Sequence, residues 1–295
     1  MGWISRWRAS KRNEEGRALL AQGHLNEAEA IFKAVVEEAP DFEPAWFNLG
    51  LVYKGRRRWP ESLRCNAEAA RLRQKNEPAL WNLGIAATAL GDWATARKAW
   101  HEFGIQVPAG EGPIAMKLGL VPIRVNPDGE HAEVIWSVRI DPARAVINNV
   151  PFPSSGHRFG DLVLHDGEPA GTRVLRGQEV PVFNELQILE PSSHHTFVVR
   201  LEVESPEDVK DLVRRCASYE VKVPCEDWTS NTRMLCKACS EGRPHEHPAR
   251  EGSKGWTSSR TMGFSCADAV TVDAILVAWK NGAPGRDCSD IEKAL

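Results

Sequence analysis

The feature that most constrains the fold is a period of 34 residues in the first third of the chain. Three glycines and three other small residues repeat at this interval, namely Gly16, Gly50 and Gly84, then Ala28, Ser62 and Ala96. Pro40 and Pro108 close the first and third units. A fixed period of this length marks a stack of repeated supersecondary units, each of which buries its apolar face on the next.

The second unit shows the pattern most fully, in the run Trp46-Phe47-Asn48-Leu49-Gly50-Leu51-Val52-Tyr53. This run, with the phased glycines and small residues, resembles the tetratricopeptide repeat. The resemblance covers residues 9–110. It implies a helical domain at 1–110 made of three repeats, each a pair of antiparallel helices that approach closely at Gly and Ala.

The same resemblance implies a concave groove, lined by the first helix of each repeat, that binds peptide segments of partner proteins. By phase, the candidate groove residues are Asn13, Arg17, Phe47, Leu51, Lys54, Trp81, Ile85 and Thr88. Phe47 and Trp81 favour an apolar ligand. The Lys and Asn arrangement with which some family members hold a terminal carboxylate is not matched, since Arg17 and Leu51 stand at key places. The alternative is that the rest of the protein covers these residues.

After Pro108 the 34-residue period stops, and alternating apolar residues with Gly and Pro punctuation indicate a β-rich region over 111–190. We predict strands at 133–140, 162–165 and 180–183. Their spacing favours a small twisted sheet or a partly open barrel.

From Thr196 the pattern becomes strand, helix, strand, and then strand and helix. We predict strands at 196–203, 219–223 and 261–265, and helices at 206–216 and 268–279. Ser205 and Pro206 form a good helix start. This order predicts a ferredoxin-like α+β unit over 191–295 with an inserted loop at 224–259. Residues 111–295 can equally form one domain.

The inserted loop carries the sharpest chemical signal in the chain. Cys236 and Cys239 are two residues apart, and His245 and His247 follow closely. Two thiolates and two imidazoles complete the tetrahedral shell that Zn²⁺ prefers. If only one histidine binds, Cys225 or Cys266 is the expected fourth ligand, because each lies at the edge of an adjoining predicted strand.

A shell of four protein ligands is closed, so we expect a structural zinc site. A redox role for the CxxC pair requires a strand and a helix around it, and the residues after it indicate a loop. In a third interpretation one ligand place is open, and Glu241 or Glu246 serves as a general base for hydrolysis.

A second polar cluster contains His157, Asp161, His165 and Asp166, which are residue types of metal and acid–base sites. The same stretch is also typical of a strand that ends in a turn, and we favour the turn.

Composition limits the functional classes. A formal net charge of -3 argues against a nucleic-acid partner, which requires an excess of Lys and Arg. No apolar run is long enough to span a membrane. Seven cysteines, an odd number without a disulfide-rich pattern, favour the cytoplasm.

These observations together predict a protein–protein interaction adaptor or regulatory scaffold, whose groove binds a protein or peptide and whose carboxyl-terminal module carries structural zinc. One alternative is a metal-dependent hydrolase or nucleic-acid-modifying enzyme whose repeats recruit the substrate. Another is an immunity or antitoxin-like inhibitor of a partner protein.

Overall fold

A computed structural model describes residues 3–229 and 256–295 of the chain. It divides the chain into two compact units. The first contains the residues up to Lys117 together with Ile140–Ala143, and the second contains Leu118–Arg139 and Arg144–Leu295.

Six helices fill the first unit in three consecutive pairs: α1 (Trp3–Ala21) and α2 (Leu25–Glu38), α3 (Glu43–Gly55) and α4 (Trp59–Leu72), and α5 (Glu77–Leu90) and α6 (Trp93–Phe103). The ends of α5 and α6 follow ordinary capping rules, with an Asn or Asp side chain at the start and a glycine at the end. Asn76 accepts a hydrogen bond from the Ala79 amide at the start of α5, and Gly91 ends that helix with φ +69°. The sequence prediction of three helical repeats is thus confirmed.

The phased glycines mark the closest approaches between paired helices. A β-carbon on Gly16 would lie 2.6 Å from the Phe32 ring, and one on Gly84 would lie 2.5 Å from the Trp100 indole. Gly50 faces Asn66 in the same way, at 2.7 Å. In each repeat, the glycine leaves room for the side chain sixteen residues later in the sequence. This contact explains why glycine recurs at the 34-residue period.

The second unit begins with a closed barrel of five strands: β1 (Leu120–Val125), β2 (Glu133–Arg139), β3 (Arg144–Ile147), β4 (Leu162–Leu175) and β5 (Gln178–Glu190). Successive strands are antiparallel, and β5 closes on β1 in parallel. The barrel core contains Ile123, Ile135, Ile147, Val163 and Phe183.

The barrel corrects part of the prediction for 111–190. Strands β1 and β3 were not expected, and the barrel is closed rather than partly open. The two strands expected at 162–165 and 180–183 belong to a long β4–β5 hairpin. Pro169 and Pro181 lie within this hairpin, where register shifts accommodate the irregular pairing.

A second sheet follows, built from β6 (His195–Glu202), β7 (Cys225–Asp227), β8 (Ser259–Cys266), β9 (Asp287–Cys288) and β10 (Glu292–Lys293), with helices α7 (Pro206–Ser218) and α8 (Ala269–Lys280). The strand order is β10-β6-β8-β7, and β9 also pairs with β6. All these pairings are antiparallel. The core between sheet and helices includes Leu201, Leu212, Phe264, Ile275 and Trp279.

One strand of this unit was predicted in the wrong place. Residues 219–223 form no strand, and Val221 is 71% exposed. The strand that pairs with β8 is instead Cys225–Asp227. The coarse prediction, a helical array followed by a β-rich module, is confirmed. None of the helices in the described part of the chain has the length and apolar content to cross a membrane.

Candidate functional site

A groove of about 670 Å³ opens in the helical unit between α1, α3 and the chain that enters α5. Residues from all three of these elements line it, namely Ser10, Asn13, Glu14, Arg17, Leu20, Ala21, Phe42, Glu43, Pro44, Phe47, Asn48, Leu51, Arg73, Asn76 and Pro78. Because α1, α3 and α5 are the first helices of successive pairs, the groove lies on the surface predicted from the repeat phase.

The floor of the groove is apolar. Phe47 and Leu51 are four residues apart on α3, so both side chains lie on the same face of that helix. Each is only half-buried, and Leu20 on α1 adds a third half-buried apolar side chain. These surfaces remain available to cover the apolar side chain of a ligand, which favours binding through the hydrophobic effect.

Amides hold the walls in place. The buried side-chain amide of Asn48 donates to the Asn13 oxygen at 2.9 Å, which links α3 to α1. Asn76 donates to the Glu43 carboxylate at 2.5 Å while its own oxygen caps α5. Both pairs join consecutive repeats, so they fix the spacing of the groove before a ligand arrives.

Two arginines lie at the rim of the groove, and only one of them forms an ion pair within the described part of the chain. Arg17 forms an ion pair with Glu14 at 3.0 Å, in which both side chains are more than half exposed. The exposed side chain of Arg73 has no ion-pair partner among the described residues. An unpaired guanidinium beside an apolar floor suits a carboxylate on a bound segment.

The third repeat does not supply the groove residues predicted for it. Ile85 is fully buried and Thr88 is 2% exposed, so both are core residues. Trp81 packs edge-on against Trp100 and Phe103, with ring centroids 5.1 and 4.9 Å away. Helix α5 is buried on nearly every side, which removes its expected groove face.

Lys54 likewise lies outside the groove lining, because its ammonium group donates to the Asn82 side chain at 3.0 Å. Sequence reasoning missed eleven of the fifteen lining residues, among them Asn48, Asn76 and Arg73. The sequence did contain a periodic signal for Asn48, because Asn82 lies 34 residues later and is also an asparagine. Arg73 ends the α4 segment, and no local pattern distinguishes it from other surface arginines.

The predicted zinc ligands Cys236, Cys239, His245 and His247 lie outside the described residues. Among the described residues, no group of three or more His, Cys, Asp and Glu side chains is placed to hold a metal ion.

The two alternate ligands lie among the described residues, where Cys266 is buried and Cys225 is half-buried. Cys266 is 7% exposed, and Cys225 packs against the same hydrophobic core. A contact with the Cys216 thiol, together with burial, raises the pKa of Cys225.

The second polar cluster holds loops of the barrel together. The Asp161 carboxylate accepts hydrogen bonds from the amides of Arg158 and Ser192, both at 2.7 Å. His157 contacts the Ser155 carbonyl oxygen at 2.9 Å, and its other ring nitrogen lies 3.0 Å from the Glu185 carboxylate. Burial opposes protonation of His157, but Glu185 outweighs it and raises the pKa.

His165 is fully buried inside the barrel and stacks on Phe183, with ring centroids 5.4 Å apart. Burial and the nearby Arg139 charge lower its pKa to about 4. His165 is therefore neutral at pH 7. His157 and Asp161 lie in the loop before β4, but the turn expected at His165-Asp166-Gly167 is wrong, because β4 continues through these residues to Leu175.

Comparisons with known proteins concern the helical unit. A tetratricopeptide-repeat family model matches residues 78–109, which contain α5 and α6. A search of curated proteins finds no match. Similar solved structures include the carboxyl-terminal TPR-containing domain of a Plasmodium falciparum FK506-binding protein, with 18% identity over 34% of this chain and 76% of that chain, at a TM-score of 0.31.

Two other similar structures have the same TM-score of 0.31. The Sgt2 TPR domain from Aspergillus fumigatus is 20% identical over 32% of this chain and 64% of that chain. The TPR2B domain of yeast Sti1, in its complex with pHsp70, is 15% identical over 33% of this chain and 78% of that chain. The three phased helix pairs and the family match at α5 and α6 make residues 9–110 a tetratricopeptide-repeat array.

Proposed function

We propose that this protein is an interaction adaptor whose repeat array binds an extended segment of a partner protein. The observation that carries the proposal is the groove between α1, α3 and α5, with half-buried Phe47 and Leu51 on its floor. Large apolar side chains in a preformed concave surface are the usual anchors of peptide binding.

The groove also indicates the chemistry of the segment. Its apolar floor accommodates at least one aliphatic or aromatic side chain, and the unpaired Arg73 at its rim attracts a carboxylate. The Asn13–Asn48 pair supplies polar atoms close to the floor. An apolar residue next to Asp, Glu or a terminal carboxylate is therefore the ligand that fits best.

A displayed peptide library selected on the immobilised full chain tests this proposal. Recovered sequences should combine an apolar residue with acidic residues. The variants Phe47→Ala and Leu51→Ala should each lower recovery by about tenfold, as expected for loss of an anchor of about 1.4 kcal/mol. Unchanged recovery by both variants would refute the proposal.

Two choices make this test specific. Trp81 is not a suitable target, because its contacts with Trp100 and Phe103 lie within the fold. Leu90→Ala is the matched control, since Leu90 is a 44% exposed leucine of the same unit that does not line the groove.

We also propose that Cys236, Cys239, His245 and His247 hold a structural zinc ion. Two thiolates and two imidazoles fit the closed tetrahedral site of a structural zinc, which supplies a cross-link rather than a reactive water. If only one of the two histidines binds the metal, the half-buried Cys225 or the buried Cys266 is the alternative fourth ligand.

For the last part of the chain we propose a ferredoxin-like arrangement. The order β10-β6-β8-β7 with antiparallel pairing, and two helices packed in one core, supports it.

We propose the cytoplasm as the compartment, supported by the five cysteines in the described residues, all of which are free thiols.

A further inference from the structure

Helix α8 is apolar on two opposite faces. One face is buried in the core through Val272, Ile275, Leu276 and Trp279. The other face exposes apolar side chains as well, including Val270 at 77% and Val277 at 51%. A helix that is apolar on all sides is normally covered on all sides, so the exposed face of α8 requires an explanation.

The neighbouring helix α7 shows what an ordinary surface face looks like in the same layer. Both helices contribute to one hydrophobic core. Yet α7 presents the exposed charged residues Glu207, Lys210 and Arg214 to solvent. From Val270 to Val277, the exposed positions of α8 carry three apolar side chains, those of Val270, Ala274 and Val277, and one charge, that of Asp273.

A groove of about 500 Å³ runs along this face of α8. Its second wall is the chain at 288–291, which includes the half-buried Ile291. This wall is fixed to the sheet, because the Ser289 amide donates to the Arg200 carbonyl oxygen at 2.9 Å and the Ser289 hydroxyl accepts from the Arg200 amide at 3.1 Å. The groove is therefore a built feature of the second unit.

The rim of the groove is acidic. Lys280 is paired with Asp287, which leaves Asp273 and Asp290, neither of which has an ion-pair partner among the described residues. Burial raises the pKa of the Cys288 thiol in the same wall, and Asp287, Asp273 and Asp290 raise it further against the opposing charge of Lys280. The three carboxylates are therefore close enough to the groove wall to make the electrostatic potential there negative.

We propose that this groove is a docking site for a basic amphipathic helix of a partner protein. Apolar side chains of that helix cover Val270 and Val277, while flanking Lys or Arg residues pair with Asp273 and Asp290. A second copy would place the same acidic rim against this face, whereas the Lys or Arg residues of a basic helix complement Asp273 and Asp290, so charge favours the basic helix. An anionic lipid surface is disfavoured for the same reason.

Fluorescence anisotropy with two labelled synthetic peptides tests the proposal on the full chain. Both peptides are helical, with leucines at i, i+3, i+4 and i+7, and their polar positions carry either lysine or glutamate. In the Phe47→Ala background, which removes the repeat-groove anchor proposed for apolar and acidic ligands, the protein should bind the lysine peptide about tenfold more tightly than the glutamate peptide. The double variant Asp273→Lys/Asp290→Lys should reverse this preference, and Val270→Ser/Val277→Ser should weaken binding of the lysine peptide about tenfold.

All four substituted side chains are exposed, so these variants should fold. Equal affinity for the two peptides, or an unchanged affinity of the serine variant, would overturn the proposal. So would a self-association of the wild type in sedimentation that the serine variant abolishes, since the occupant would then be a second copy. Phe47→Ala should leave the lysine peptide's affinity unchanged, and a loss would place its binding in the repeat groove instead.

Discussion

The indole ring of Trp100 occupies the space that a β-carbon on Gly84 would need, with Cη2 2.5 Å from the ideal Cβ position. Trp100 is fully buried, so it has no solvent to move into. This relationship joins α5 to α6 and repeats in the other two helix pairs. It makes the glycine period a packing requirement and leads to the first prediction.

Gly84→Ala should destabilise the helical unit. Overpacking costs about 1–3 kcal/mol, whereas alanine gains only about 1 kcal/mol in helix propensity, so the loss should dominate. Thermal unfolding followed by far-UV circular dichroism measures the effect. Gly55→Ala is the matched control, because it lies at the end of α3 with nothing within 4 Å of an added β-carbon. Equal stability of the two variants would contradict the packing argument.

Glu29→Gln should destabilise the first two repeats by about 1–2 kcal/mol, a value between those of exposed and buried ion pairs. The Glu29 side chain lies 2.6 Å from the Lys33 ammonium group, and it also pairs with Arg56 and Arg58. Loss of its charge leaves these cations close together. Glu14→Gln, which removes the exposed pair with Arg17, should have almost no effect on the unfolding temperature.

The same carboxylate predicts a pH dependence. Burial opposes ionisation of Glu29, but Lys33, Arg56 and Arg58 outweigh it and lower the pKa below its ordinary value of 4.5. Its contribution to stability is therefore present above pH 4.5 and is lost as the pH falls through the lower, folded-state pKa. Unfolding measured down this range should show a smaller loss for Glu29→Gln than for the wild type. Parallel curves would refute this explanation.

His165→Leu should remove part of the acid sensitivity of the barrel. The pKa of His165 is about 4 in the folded protein, against an ordinary value of 6.5. Stability from the neutral imidazole is complete above pH 6.5 and falls between pH 6.5 and 4, by about 3 kcal/mol. Denaturant unfolding at pH 7.5 and pH 4.5 measures the difference. The exposed His131, changed to Gln, provides the control and should retain the wild-type loss.

Zinc analysis of protein purified without added metal should give about one zinc per chain. Cys236→Ser and Cys239→Ser should each lower this value, whereas Cys288→Ser should leave it unchanged. Addition of a chelator should not reduce the far-UV circular dichroism signal of the helices in residues 9–110, because the helical unit has its own hydrophobic core. Protein without zinc or any other metal would contradict the metal proposal.

The repeat array could be predicted from the sequence because its packing is local and periodic. Each close contact joins residues sixteen apart, as in Gly16 with Phe32, so the 34-residue period records it directly. The position of Phe47 and Leu51 in the groove follows from the same phase. The burial of Ile85 could not be predicted in this way. The period indicates which residues share a helix face, but it does not indicate what covers that face.

The second unit was harder to predict because its strands pair over long distances. The short strand Arg144–Ile147 has too few residues to show an alternating pattern, and β7 is only Cys225–Asp227. Residues 219–223 have strand-forming side chains, but β8 pairs with the residues that follow them. Strand formation depends on such partners more than on intrinsic preference, so local composition placed this strand too early.

The affinity of a library-selected peptide for the full chain, measured by isothermal titration calorimetry, tests the central claim most directly. Phe47→Ala should weaken binding about tenfold or more, because it removes the main apolar surface of the groove floor. Leu90→Ala should leave the affinity unchanged. An unchanged affinity for Phe47→Ala, with the wild-type unfolding temperature retained, would show that the groove between α1, α3 and α5 is not where the partner binds.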